Sequence, residues 1–222
     1  MRTDADIQKD VMAQLKWEAF LHAENIGVAV KDGVVTLSGH VDSYNKKIGA
    51  EMAAKKVLGV KAVAEEINVG VSPIYRRTDT EIAEAVVNAL RWHSAVVEDK
   101  IKVKVEDGVV TLDGQVDWNF QRQNAVDAIQ NLIGVIRVNN FIVVKPSPTS
   151  NDLQEKIRQA LLRSATVDSD KIAVTVTGSK AILTGTVRSL AEKDDAELAA
   201  WSGRGITSVE NRLEIAIPEF SF

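Results

Sequence analysis

A chain of 222 residues, 45% hydrophobic and 26% charged, has the make-up of a folded globular protein and not of a disordered one. Its formal net charge of −4 argues against a duplex-binding protein, because such domains carry a strongly cationic face. Lacking cysteine, it can build neither disulfides nor thiolate metal sites, and no apolar run approaches the roughly 18 residues of a membrane-spanning helix.

One stretch is written three times. Residues 31–39 read KDGVVTLSG, 106–114 read EDGVVTLDG and 178–185 read GSKAILTG. The register holds beyond that core: Gly33, Gly39 and Gly59 map onto Gly108, Gly114 and Gly134, and the last two map onto Gly185 and Gly205. Three copies of one unit, each of about 70 residues, follow from this, at 3–71, 77–145 and 149–216. Units so small bury only about 60% of their unfolded surface, so packing between repeats, or a homo-oligomer, is expected to add stability. The acidic N-terminus MRTDADIQKDVMAQL has no basic region followed by an apolar stretch. A cytoplasmic protein is therefore expected, with the periplasm as the alternative if a leader has been removed.

Each copy opens on steps of four, Ile7/Val11/Leu15, Ile82/Val86/Leu90 and Leu153/Ile157/Leu161, which place one apolar stripe on an amphipathic helix. Thr3 or Asp4, Thr78 or Asp79, and Asn151 or Asp152 precede the stripes as N-cap candidates. Strict alternation follows at Ile26/Val28/Val30, Ile101/Val103/Val105 and Ile172/Val174/Val176, the first strand. Asp32-Gly33, Asp107-Gly108 and Gly178-Ser179 are two-residue turn signals, and a second alternating run completes a β-hairpin. Gly39, Gly114 and Gly185 fall on the inward face of that strand, where a neighbouring group is expected to take the side-chain space. A second helix is predicted over 44–58, 119–133 and 189–202, ending at Gly59, Gly134 or Gly205 as C-cap glycines. The last strand runs through Ile67, Ile142 or Leu213. The order is α-β-β-α-β, an α+β fold in which each repeat forms a three-stranded mixed sheet with two helices on one face. Short linkers sit at 70–77, with Pro73 and Arg76-Arg77, and at 145–150, KPSPTS.

These residues resemble the BON domain family, named for bacterial osmotic-stress and nodulation proteins. The matching pattern is a Leu-x-Trp segment (Leu15 to Trp17, Leu90 to Trp92), the DGVVTL strings, a second helix, and G-V-x-x-V before the final strand. The third copy diverges, with Leu161-Leu162-Arg163 and no Asp-Gly turn. The resemblance implies a non-enzymatic module linked to osmotic or envelope stress, which contacts an anionic phospholipid surface or partner proteins and uses no cofactor. A soluble, chaperone-like binder of exposed apolar segments is the alternative.

No serine nucleophile elbow, HExxH or phosphate-binding glycine loop occurs, and His22, His40 and His93 do not converge on one position of the repeat, so no catalytic, metal or nucleotide site is expected. Glu65, Asn140 and Asn211 share the parity of core residues in the last strand and are expected to bond nearby backbone. Trp17 and Trp92 stand about 200° around the helix from the last stripe leucine. They suit either a cover over the end of their own domain core or packing against the neighbouring repeat, the expected role, or else a lipid interface. Val109, Phe141 and Val143, beside Lys102 and Lys104, make an apolar outer sheet face in repeat 2 that another repeat or a second copy is expected to cover. Arg76, Arg77, Lys102 and Lys104 are the local cations available to draw the chain to anionic headgroups.

Overall fold

The computed structural model describes residues 2–70, 77–93, 100–146 and 152–216. Pro73, Arg76 and Asn151 lie outside them. Repeat 1 comprises α1 (Asp4–Trp17), β1 (Ile26–Lys31), β2 (Val34–Val41), α2 (Tyr44–Lys55) and β3 (Ala62–Val69). Repeat 2 comprises α3 (Asp79–Trp92), β4 (Ile101–Glu106), β5 (Val109–Val116), α4 (Asn119–Ile129) and β6 (Arg137–Val144). In repeat 3 these are α5 (Leu153–Arg163), β7 (Ile172–Thr177), β8 (Lys180–Val187), α6 (Leu190–Trp201) and β9 (Ser208–Ile215). Each sheet has three strands, the first pair antiparallel and the second parallel, as a helical crossover requires.

Both helices of a repeat cover one face of its sheet. In repeat 1, Ile7, Val11 and Leu15 from α1 and Ala50, Ala53 and Ala54 from α2 close over Val35, Leu37 and Ile67. The small alanines let the second helix lie close on the sheet. Thr3 and Thr78 start their helices with full capping boxes, returned by Asp6 and Glu81. The residue after each cap reaches across to the hairpin. The Asp4 carboxylate accepts from the backbone N–H groups of Asp32 and Gly33, and Asp79 does the same for Asp107 and Gly108. Each carboxylate thereby ties the helix start to the hairpin turn.

The second helices end earlier than their periodicity predicts, at Lys55, Ile129 and Trp201, and their C-cap residues Lys56, Gln130 and Ser202 are right-handed. Gly59, Gly134 and Gly205 are not C-caps. They sit three or four residues further on, at φ of +89°, +93° and +97°, in the turn that swings the chain into the last strand. At Gly59 and Gly134 a side chain would press on Ile7 and Ile82 of the first helix. Gly39, Gly114 and Gly185 hold positive φ of +125°, +153° and +123°, and a Cβ there would collide with the backbone carbonyl of Asn25, Lys100 or Lys171. The occupant of the side-chain space is thus main chain entering the first strand.

Candidate functional site

The repeats meet through their second helices, and the contacts run in one direction. Tyr44, the first residue of α2, packs against the core of repeat 2, where burial pushes its hydroxyl above the usual pKa. In the next junction, Arg122 of α4 lies 4.3 Å from the ring centroid of Trp201, and Arg204 lies 5.6 Å from that of Trp118. Finally Leu190, the first residue of α6, packs against the core of repeat 1, α6 touches α2, and Asp194 pairs with Lys55 at 2.9 Å. The start of each second helix therefore meets the next repeat, 1 to 2, 2 to 3 and 3 to 1. The contacts close a three-membered ring of one heterologous interface used three times. Burial lowers the pKa of Arg122, opposed by Glu197, and Trp201 donates from Nε1 to Glu197 at 3.4 Å.

Equivalent junctions are filled differently. Between repeats 2 and 3, Arg204 lies over Trp118, which stacks with Phe120 at 6.4 Å, and Trp201 faces Arg122. Between repeats 3 and 1 the same positions, at the repeat offsets, hold Ser189, Ala191, Lys55 and Leu58. A cleft of about 550 Å³ opens there, lined by Met52, Lys55, Leu58, Arg188, Ala191 and Asp194, among others. Glu192 at its edge is buried; desolvation raises its pKa but is outweighed by donors from Asp168 N, Arg188 N and the Arg188 guanidinium, so the carboxyl lies below its usual range.

Trp17 and Trp92 do not cover a core. They are 82% and 87% exposed at the C-terminal ends of α1 and α3, because the turn of the helix carries them past the buried leucines and the repeats join at the second helices instead. Each follows a basic residue, Lys16 or Arg91, and Arg163 ends the equivalent helix of repeat 3. The outer sheet face of repeat 2 is not covered by another repeat either: Phe141 is 62% and Val143 55% exposed, while Val109 is half-buried. The ring engages helices, which leaves the outer faces of the sheets outside it. Of the flanking lysines, Lys104 pairs with Glu106 and Lys102 is exposed.

In the last strands, Asn140 and Asn211 bond backbone on two elements. Their side-chain oxygens accept from the N–H two residues on, and their Nδ2 groups donate to the helix carbonyls of Arg122 and Lys193. Glu65 departs from this. One of its oxygens lies 3.6 Å from Lys47 and the other is buried without a partner. Burial pushes its carboxyl above the usual range, with Glu51 adding to and Lys47 opposing the shift. His22 and His40 line one hollow of repeat 1 with Glu24 and Asp42. Among the described residues no group of three potential ligands is placed to hold a metal, and no helix is long and apolar enough to cross a membrane.

The sequence patterns do not single out Tyr44, Arg122, Leu190 or Trp201, since each interrupts the repeat where the copies differ. The BON domain model matches residues 3–71, 78–146 and 149–217. The chain is similar to "Osmotically-inducible protein Y" of Escherichia coli, at 31% identity over 61% of this chain and 72% of the relative. A similar match is an uncharacterized protein in the gshII 5' region of Anaplasma centrale, at 25% over 62% of this chain and 94% of the relative. Among solved structures, CdsD, a structural protein of the type III secretion system of Chlamydia trachomatis, aligns at 15% identity over 96% of this chain and 94% of that one, with a TM-score of 0.28. Three family matches, spanning nearly the whole chain, fall on the three α-β-β-α-β units, and the chain belongs to the BON domain family.

Proposed function

We propose that this is a non-catalytic, osmotic-stress-related BON-repeat protein that adsorbs to anionic phospholipid surfaces through the tips of its first helices. The stress link rests on the similarity to the osmotically inducible relative. The observation that carries the surface reading is the exposure of two equivalent tryptophans, Trp17 and Trp92, beside Lys16 and Arg91. An indole suits the boundary between headgroups and acyl chains, and an adjacent cation suits an anionic headgroup. In a ring built from one repeated contact, equivalent residues lie at one level along the axis, so Trp17, Trp92 and Arg163 can meet a flat surface together. The cations also complement the helix C-termini, but that role does not call for an exposed indole.

Co-sedimentation with vesicles tests the reading. The chain is expected to pellet with anionic vesicles and not with neutral ones, and to be released by salt, because the net charge of −4 opposes adsorption and only local cations attract. A Trp17→Ala/Trp92→Ala variant should bind roughly tenfold more weakly. Equal retention on both vesicle types, none on either, or an unaffected double variant contradicts it. A soluble binder of apolar protein segments is the second reading, favoured by the open face at Phe141 and Val143.

A further inference from the structure

The 3–1 cleft and the filled 2–3 junction are the same place in the ring, built from different residues. Where repeat 2 presents Trp118 and Phe120 to its neighbour, repeat 3 presents Ser189 and Ala191, and where repeat 3 answers with Trp201 and Arg204, repeat 1 answers with Lys55 and Leu58. Three aromatic rings are thereby subtracted from one junction, and a cavity of about 550 Å³ stands in their stead. That volume is within the range of pockets that enclose a ligand of peptide-fragment size. We propose that this cleft is a docking site for an aromatic-bearing peptide segment of a partner protein.

Two observations select that occupant. The cleft is the open continuation of an interface that the Lys55–Asp194 pair and Leu190 already make, so its walls are held by contacts that exist without a ligand. Its cations are satisfied within the chain: Lys55 by Glu51 and Asp194, Lys56 by Glu18, and Arg188 by Glu192. A lipid phosphate would find no uncommitted charge among them. Its exposed apolar lining is Met52 and Leu58, flanked by exposed Thr166 and Asp195 and by the paired charges. The 2–3 junction shows what this geometry accepts: an indole, Trp118, held under the Arg204 guanidinium of the next repeat and stacked on Phe120 two residues on. The cleft is separate from the helix tips, so either proposal can fail alone.

The chain has three methionines, of which Met52 lines the cleft, so methyl-labelled methionine in the full chain is a direct reporter. The probe is a blocked Trp-Asn-Phe peptide. The Met52 methyl resonance is expected to move saturably by ring current, with Met12 unmoved. Ala191→Phe, which installs the ring that repeat 2 carries at this position, should weaken the response at least about tenfold by filling the cleft. Leu58→Arg, which restores the guanidinium seen over Trp118, should tighten it a few-fold through a cation–π contact. A Met52 signal that stays put at millimolar peptide overturns the proposal. So does a response that survives Ala191→Phe in a folded variant, or one that Leu58→Arg leaves unchanged or abolishes.

Discussion

Glu65 is the one member of its strand position that is half-buried without full compensation. Asn140 and Asn211 commit both ends of their amides to backbone, whereas Glu65 holds a charge between Lys47 and Glu51 with one oxygen unpartnered. A carboxyl whose folded pKa is raised binds its proton more tightly in the native state, so it lowers stability above that pKa and the loss disappears as the pH falls below the unfolded value. Glu65→Asn is therefore expected to raise stability by about 1 kcal/mol at pH 7, and the gain should vanish below about pH 4. Thermal melts across that range check it, and a gain that grows on acidification would contradict the cause given. The polar parity of this position is legible in the sequence; the difference between amide and acid is not, because it depends on what α2 places opposite. The tryptophans follow the same rule. Their angle around the helix is legible, but whether a neighbour covers them is decided by how the repeats join.

At the level of elements, the helices, the hairpins and their order follow from the sequence because one period repeats three times over. Ile7, Val11 and Leu15 can bury together only on a helix, and Val35 and Leu37 only on a strand. The helix ends are less legible. Apolar residues continue past Lys55 as Val57 and Val60, which are buried in the turn and so extend the pattern without extending the helix. The strand-2 glycine is legible as a packing signal, but its partner is not, since a backbone carbonyl leaves no mark in a side-chain pattern. In Gly114→Val, positive φ and the Lys100 carbonyl act against the same side chain. It should cost about 3 kcal/mol, seen as a lowered urea midpoint with unchanged slope. A midpoint equal to that of the native chain would contradict the close approach of main chain at this glycine.

For the whole molecule, the deciding residues are those in which the copies differ. Tyr44, Leu190, Trp118 and Trp201 lie outside the repeated pattern and form the junctions, so what recurs in the sequence reveals three units but not their ring. That no other repeat covers Phe141 and Val143 has the same reason. An open apolar face is a reason for contact, but helix-to-helix docking uses the second helices first and leaves that face outward. Both functional proposals depend on the closed ring: the 3–1 cleft lies at one of its junctions, and the surface proposal needs it to hold Trp17, Trp92 and Arg163 at one level. Small-angle X-ray scattering of the dilute, full-length chain measures closure directly. A single compact body of 222 residues has a radius of gyration of about 17 Å, and a value near this with a symmetric distance distribution is predicted. A radius roughly a third larger or more, with the long-tailed distribution of three units in a row, would contradict the ring and both sites built on it.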